Sequence, residues 1–299
     1  MYISKWNLLV KKVNWKSITI KISKNVVWEN DILNLTKKEF EFIKNLENYS
    51  LFENKIYTKN SLEKIVFDSK ILFNKLNFEK KNKFDYFYNI NFIQKFVYES
   101  NRTEWSKIKQ EEIFKIFENK KSNHTNKNEI LEVKNSKKVF DFMNEDFIFN
   151  IANIKKVYHI LTKNLFMNCW DKYPRWFKKV ENTVNNDITS SPENVEKDLK
   201  NLIIWYKENK KILFPLELAY LFHLKFEKIH PFIDWNWRTW RFLINKILLD
   251  NNYYPIILFS DNKKSFFNSI KTPWLNNKKY FKTMLEQHLK TLDYLKKSF

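Results

Sequence analysis

The alternation of apolar and polar residues near the start of the chain predicts β-structure. Residues 17–22 read SITIKI, with the period of two that is typical of a half-buried strand. An apolar run at residues 7–10 precedes them, and Trp6, Trp15 and Trp28 separate the runs. This pattern predicts a small β-meander over residues 1–30.

Beyond residue 30 the pattern becomes helical. Residues 35–43 have the capping and spacing of a helix, and helical segments continue to about residue 118, with breaks near 50 and 83. The polar stretch 119–138, rich in Lys, Asn and Ser, predicts a boundary loop. Residues 139–167 are expected to be helical again.

The second half of the chain predicts one more β element among helices. Residues 177–189 contain β-prone positions around Asn185 and Asn186, which favours a hairpin. Ser191 and Pro192 are expected to begin the next helix, as N-cap and first position. Further helices are predicted at residues 215–229, 236–249 and 276–299. The expected fold class is mostly α with two small β elements.

The composition changes how the tryptophans are interpreted. The chain of 299 residues has no glycine and 11 tryptophans, whereas about 7% glycine is usual. Trp15 follows Asn14 between two strands, where Asn-Gly would form a tight turn. Trp105 follows a helical pattern and precedes Ser106, a helix end where glycine is common.

These positions suggest that several tryptophans stand for glycine. Our hypothesis is that the gene uses UGA as a glycine codon and that the sequence was translated with UGA as tryptophan. The abundance of Lys, Asn, Ile and Phe fits an AT-rich genome. Trp205 fits an apolar helix face and is expected to be a true tryptophan. Loops or close backbone approaches are expected at Trp176, Trp235, Trp237 and Trp240. The alternative is a Trp-rich protein without glycine.

Charge and cysteine content indicate where the protein acts. The net charge of +20 favours nucleic acid or anionic surfaces. The lysines are spread along the chain and have an AT-rich codon, so we rank nucleic-acid binding below other roles. Cys169 is the single cysteine, which fits a reducing cytoplasm. No apolar run is long enough for a membrane helix, and the first residues do not resemble a signal peptide. We expect a cytoplasmic protein without a membrane partner.

The stretch HPFIDWNWRTWR, residues 230–241, carries the candidate chemistry. It predicts a loop entering a helix, where free N–H groups bind anions. Asp234 can hold a hard cation such as Mg²⁺. Arg238 and Arg241, three residues apart, can both neutralise phosphate. His230 stands where a general base for an incoming hydroxyl is expected. Each residue alone has an ordinary structural explanation, but the combination favours a phosphate site.

This stretch resembles the signature of Fic proteins, HPFx(D/E)GNGRxxR, with tryptophan where the family has glycine. Residues 214–229 resemble the helix that leads into the signature, and residues 173–177 resemble the segment before its β-hairpin flap. The resemblance covers roughly residues 90–290. It implies a Fic-type helical bundle with a hairpin flap. Three parts follow: a meander at 1–30, a helical region with an inhibitory helix at 31–120, and a catalytic core with C-terminal helices at 121–299.

The resemblance implies transfer of AMP from ATP to a Ser, Thr or Tyr hydroxyl of a target protein. His230 would be the base, and Asp234 would bind Mg²⁺. The hairpin would align the target by strand pairing. The resemblance further places Trp235, Asn236 and Trp237 at the α-phosphate, Arg238 and Arg241 at the outer phosphates, and Pro231 and Phe232 in the packing of the loop.

A second motif lies upstream. Residues 99–105, ESNRTEW, resemble the inhibitory motif Ser/Thr-x-x-x-Glu-Gly/Asn of some Fic proteins. The resemblance implies that Ser100 and Glu104 belong to an inhibitory helix, with Glu104 paired to Arg241. The resemblance further implies that the chain itself can be a partner, through auto-modification or a dimer. Without the resemblance, the motif would be interpreted as an exposed helix end.

Three readings remain open. The first is an autoinhibited adenylyltransferase. The second is removal of AMP by the same site, with Glu104 orienting water. The third is a non-enzymatic regulator whose N-terminal meander binds nucleic acid or a partner. The scaffold is also compatible with another nucleotide donor. Read literally, Trp235 and Trp237 fill the phosphate cradle, so we expect the written chain to be inactive.

Overall fold

The structure is a computed structural model of the chain. It describes residues 2–3, 8–13, 16–21, 65, 68, 90–144, 147–167, 171–184, 187–251, 253–270 and 277–296. The helix predicted at 35–43 and the breaks near 50 and 83 lie outside these residues, as do Trp6, Trp15, Trp28 and Cys169.

An antiparallel sheet of three strands forms the N-terminal β element. The strands β1 (Tyr2–Ile3), β2 (Leu8–Val13) and β3 (Lys16–Lys21) are neighbours in chain order. The register pairs Val13 with Lys16. The predicted meander is therefore confirmed by the three described strands, whereas residues 22–30 lie outside the described residues.

Four helices lie within the described residues 90–167, and they correct one prediction. They are α1 (Ile90–Thr103), α2 (Gln110–Phe117), α3 (Lys127–Asn144) and α4 (Ile151–Leu161). The loop predicted at 119–138 is shorter than expected, because α3 already begins at Lys127. This helix buries polar as well as apolar side chains. Asn135 is buried and donates to the carbonyls of Leu161 and Lys163 at 3.0 and 2.9 Å. The polar composition of residues 127–138 therefore led to the prediction of a loop where the structure has a partly buried helix.

The predicted hairpin is present but short. It consists of β4 (Thr183–Val184) and β5 (Asp187–Ile188), paired antiparallel. Helix α5 (Val195–Asn209) follows it and begins later than predicted. Asn194, and not Ser191, is the N-cap residue, because the residues before it form a turn in which the Asn194 N–H donates to the Ser191 carbonyl at 2.9 Å.

The remaining helices surround the candidate site. They are α6 (Pro215–Ile229), α7 (Asn236–Asp250), α8 (Lys263–Ile270) and α9 (Asn277–Lys296), and a short 3₁₀ turn, Ser260–Asn262, precedes α8. Helices α6, α7 and α9 were predicted. Helix α8 was missed, because its eight residues are too few for a clear helical period.

Helix α7 lies at the centre of the fold. Its residues 238–248 are all buried. Phe242 packs edge-on against Phe96 of α1 and Phe140 of α3, with ring centroids 5.0 and 4.9 Å apart. Close packing of this kind limits the movement of a helix. The N-terminus of α7 is thus held firmly in place. None of the described helices is long and apolar enough to cross a membrane.

Candidate active site

The loop between α6 and α7 makes two sharp turns. His230 ends α6 with φ 46° and ψ 63°, and its N–H donates to the Phe226 carbonyl at 2.8 Å. Trp235 precedes α7 with φ 65° and ψ 7°. Both residues have the left-handed conformation. The six residues 230–235 therefore reverse the chain between two packed helices.

Asn236 and Phe232 hold this loop together. The Asn236 side chain accepts from the Phe232 N–H at 3.0 Å and donates to the Phe232 carbonyl at 2.8 Å. The Phe232 ring is fully buried and stacks on Tyr158 at 3.9 Å. The carbonyl of Pro231 accepts from the Lys178 N–H at 2.9 Å. The side-chain amide of Asn236 is thus used within the loop. Asn236 can therefore offer an anion only its backbone N–H group.

His230 and Asp234 lie at opposite ends of the loop. Nδ1 of His230 is 3.1 Å from Oε2 of Glu227, which leaves Nε2 for another partner. Asp234 is exposed. Its Oδ2 accepts from the Tyr173 hydroxyl at 3.1 Å, and its Oδ1 accepts from the Trp235 N–H at 2.6 Å.

The loop alone does not provide enough ligands for a metal ion, so Mg²⁺ here would also need phosphate oxygens of a bound nucleotide. Within the described ranges, no group of three or more His, Cys, Asp or Glu side chains is placed to hold a metal ion. Mg²⁺ is commonly bound by one or two carboxylates together with substrate phosphates. The exposed Asp234 carboxylate fits that arrangement.

The two arginines are each paired with an upstream carboxylate. Arg238 donates to Oε2 of Glu132 in α3 at 2.8 Å. Arg241 is 2% exposed; it donates to Oγ of Ser100 at 2.8 Å and lies 3.4 Å from Oε1 of Glu104. Burial lowers the pKa of Arg241 to about 10. Arg241 therefore lies beside Glu104, the partner that the resemblance implied, and also beside Ser100. No motif had singled out Glu132.

The end of α1 explains how Glu104 is presented. The Trp105 N–H donates to the Arg102 carbonyl at 3.2 Å, and the Ser106 N–H donates to the Asn101 carbonyl at 3.1 Å. This pair of bonds is a Schellman motif, whose left-handed residue is usually glycine. Trp105 occupies that place with φ 67°, and its side chain is 83% exposed.

The other tryptophans of the signature fill space around α7. Trp237 and Trp240 lie inside the helix predicted at 236–249, and not in a loop. Trp237 packs against Phe267 of α8 at 4.5 Å. Trp240 is fully buried and stacks on His223 at 3.5 Å, and its Nε1 has no hydrogen-bond partner among the described residues.

Trp235 and Trp176 differ in exposure. Trp235 is 6% exposed, and the Arg238 guanidinium lies 3.9 Å above its ring. The indole therefore covers one face of an arginine that the sequence assigned to phosphate. Trp176 lies in the irregular segment before the hairpin and is about half exposed.

Lys178 is a buried residue that the sequence did not single out. Its Nζ donates to Asn182 Oδ1 and Thr189 Oγ1, both at 2.6 Å, and to the Ile229 carbonyl at 3.2 Å. Burial lowers its pKa to about 8. Lys178 thus ties the base of the hairpin to the end of α6, next to His230. One lysine among many gives no signal of this kind in a sequence.

Comparison with known proteins agrees with this geometry. Residues 148–248 match the Fic/DOC family. The chain contains a Fic/DOC domain. The match covers α4, the hairpin, α5, α6, the signature loop and most of α7. Ser100, Glu104 and Glu132, which contact its arginines, come from helices before the Fic domain.

Named relatives match about a third of this chain. The protein adenylyltransferase Fic of Nematostella vectensis is 32% identical over 92 residues, which are 30% of this chain and 22% of that protein. The protein adenylyltransferase fic-1 of Caenorhabditis elegans is 30% identical over 99 residues, 33% of this chain and 20% of that protein. The matches span about a fifth of the length of these relatives.

The likeness of fold extends further along the chain. A solved structure of Fic-1 from Caenorhabditis elegans superposes with a TM-score of 0.63 and covers 87% of this chain and 83% of that chain, at 18% identity. The mostly helical Fic-type fold with a small antiparallel hairpin is therefore confirmed.

Proposed function

We propose that this chain, with glycine in its signature loop, is a protein adenylyltransferase that moves AMP from ATP to a hydroxyl of a target protein. The observation that carries the proposal is the set of side chains around one helix N-terminus. His230, Asp234, Arg238 and Arg241 all lie on the loop before α7 or on its first two turns. The names of the curated relatives support the same activity.

In the proposed reaction, His230 acts as the general base. Nε2 takes the proton of the target hydroxyl while its oxygen bonds to the α-phosphorus of ATP. The bond from that phosphorus to the bridging oxygen breaks, and pyrophosphate leaves. The hydrogen-bond partner of Nδ1 supports this role, because it keeps Nε2 free.

The phosphates would lie at the start of α7. The free N–H groups of its first turn provide an anion site, and Arg238 and Arg241 supply positive charge near the outer phosphates. Mg²⁺ held by Asp234 would neutralise phosphate charge. The hairpin β4–β5 would pair with an extended segment of the target.

Glu104 and Ser100 would inhibit this site. Both accept hydrogen bonds from the Arg241 guanidinium. The same N–H groups cannot then bind a phosphate of ATP. A carboxylate and a phosphate compete for the same N–H groups of an arginine. The autoinhibited state is therefore the one that this geometry favours.

The same Glu104 carboxylate favours a second candidate, removal of AMP from a modified protein. The side chain is 31% exposed at the edge of the buried arginine, so it can accept a hydrogen bond from a water molecule. An AMP-bearing protein incubated with the chain separates the candidates. Release of AMP that is lost in Glu104→Gln would favour removal.

We further propose that the residues written as Trp105, Trp176, Trp235, Trp237 and Trp240 are glycine in the protein made by its host. Two of them have positive φ, and a third buries an indole N–H that has no hydrogen-bond partner in the described part of the chain. Peptide mass spectrometry of the native protein tests this recoding directly. A tryptophan mass at positions 235 and 237 would exclude it.

Adenylyl transfer is tested with two purified chains. One has the sequence as written, and the other carries glycine at positions 105, 176, 235, 237 and 240 together with Glu104→Gly. Each is incubated with Mg²⁺ and ATP labelled on the α-phosphate, alone and with added cell protein. We expect covalent label with the restored chain only.

A histidine pair provides the control for this experiment. His230→Ala should abolish the label, whereas His159→Ala, on α4, should retain it. A restored chain that is folded and binds ATP but labels neither itself nor any added protein would contradict the forward reaction.

A further inference from the structure

Helix α6 carries a buried row of ionisable side chains behind the candidate base. His223, Glu227 and His230 are four and three residues apart, so they share one face of the helix end. His223 is 0% and Glu227 1% exposed. Glutamate is seldom fully buried unless it is paired. The signature explains His230 but assigns nothing to Glu227.

Glu227 lies between the two histidines. Its Oε2 is 3.1 Å from Nδ1 of His230, and its Oε1 is 3.9 Å from Nε2 of His223. On the far side, Nδ1 of His223 is 2.5 Å from the hydroxyl of Tyr280 in α9. Arg241 is the further charged group that interacts with Glu227.

The protons in this row can be assigned. Burial lowers the pKa of His223 well below its usual value and raises the pKa of Tyr280 well above 10, so both side chains are neutral. We assign the Tyr280 hydroxyl as the donor to Nδ1 of His223, because this contact, at 2.5 Å, is much shorter than the 3.5 Å from the same hydroxyl to the Tyr220 carbonyl. The ring proton of His223 is then on Nε2, which faces Oε1 of Glu227.

We infer that Glu227 is a positioning residue for His230. Its carboxylate accepts from Nδ1–H of His230 and thereby places the lone pair on Nε2, where the target hydroxyl would arrive. When Nε2 takes the proton, the same carboxylate stabilises the imidazolium, as the buried aspartate does in a Ser-His-Asp triad. The inference rests on the proposed function of His230 as the base.

Substitution of Glu227 by glutamine has a definite consequence in this row. We place the amide oxygen on the side of His223, because an NH₂ group there would face the Nε2–H of His223, which lies 3.9 Å from Oε1 of Glu227. The amide NH₂ group then faces His230 and donates to Nδ1. His230 would be forced into the Nε2–H tautomer, which cannot take a proton from a hydroxyl.

The test uses Glu227→Gln and Glu227→Asp in the glycine-restored chain with Glu104→Gly. The control is Glu217→Gln, which removes a buried carboxyl from the first turn of the same helix. Imidazole ¹⁵N NMR gives the tautomer of His230, assigned through His230→Gln. Label transfer from ATP gives kcat and KM.

We expect Glu227→Gln to convert His230 to the Nε2–H tautomer and to lower kcat about a hundredfold, within the range of general-base effects, with little change in KM for ATP. Glu227→Asp should keep the Nδ1–H tautomer and recover part of kcat. Glu217→Gln should change neither the tautomer nor kcat.

Two results would overturn the inference. One is that His230 keeps the Nδ1–H tautomer in Glu227→Gln. The other is that kcat falls no more than in the Glu217→Gln control. The NMR measurement needs no ATP, so it separates this inference from the proposed function. A switched tautomer with no transfer by any chain would uphold the positioning of His230 and contradict adenylyl transfer.

Discussion

Trp105 and Trp235 have backbone conformations that a large side chain disfavours. Their φ angles are 67° and 65°. In the left-handed region Cβ approaches the following carbonyl oxygen, at a cost of about 1–2 kcal/mol for residues other than glycine. At Trp105 the conformation is fixed by two Schellman bonds. The cost therefore persists in the folded chain.

Replacement of Trp105 by glycine should stabilise the protein. The gain is about 0.5–1 kcal/mol, since relief of the left-handed strain exceeds the added entropy of unfolded glycine. The gain in stability is reduced by loss of the cation–π contact with Lys263, whose ammonium group lies 3.8 Å above the exposed indole. Urea unfolding of the two chains measures the difference.

Trp205 provides the opposite case. It lies within α5, half-buried, with the Lys225 ammonium 4.9 Å above its ring. Glycine there should destabilise the protein by about 2 kcal/mol or more, from lost burial and helix propensity. Equal destabilisation by Trp105→Gly and Trp205→Gly would argue against glycine at position 105.

At the scale of the element, α7 holds two loops through two asparagines. Asn236 bonds both backbone groups of Phe232, at 3.0 and 2.8 Å. Asn245 bonds both backbone groups of Ile256, at 2.8 and 3.0 Å. Both asparagines are 1% exposed. The first loop carries the candidate site, and the second follows the end of the helix.

This repetition provides a matched pair of variants. Asn236→Ala and Asn245→Ala should each lower the free energy of unfolding by about 2–4 kcal/mol, because each leaves buried backbone groups unpaired. In the glycine-restored chain, Asn236→Ala should in addition abolish label transfer at a temperature where both variants are folded. Equal transfer by the two variants would contradict a role of the 230–235 loop in the reaction.

At the scale of the whole molecule, a helix outside the Fic domain contacts an arginine inside it. Ser100 and Glu104, at the end of α1, bond to Arg241 across 141 and 137 residues of sequence. Glu99 in the same helix accepts from Ser260 N–H at 2.8 Å, which fixes α1 on the far side. Helix α1 is therefore held over the arginine by contacts on both sides.

Release of Arg241 should raise activity. Glu104→Gly, in the otherwise glycine-restored chain, should increase auto-modification by about tenfold, a usual size for such coupling. The control is Glu118→Gly, which removes an exposed glutamate just beyond the end of α2. An unchanged rate in Glu104→Gly, with folding intact, would argue against inhibition by this carboxylate.

Local features were predictable from the sequence. The period of residues 215–229 and of the β3 strand predicted elements that the structure contains, because each depends on bonds between near neighbours. The compact signature likewise predicted that His230, Asp234 and the arginines share one loop and one helix. The predicted start of α5 was wrong because a turn at residues 191–194 precedes the helix, and the predicted loop at 119–138 was wrong because α3 buries polar side chains against distant residues.

The sequence by itself thus determined the helices with clear periods, the hairpin, and the Schellman position of Trp105. It also led to the Glu104–Arg241 pair, through resemblance to a family. Only the tertiary structure decided that Arg238 meets Glu132, 106 residues away, that Lys178 ties the hairpin to α6, and that Glu227 is buried against His230. A chain with 54 basic and 34 acidic residues offers many charge pairs, and packing of the helices selects among them.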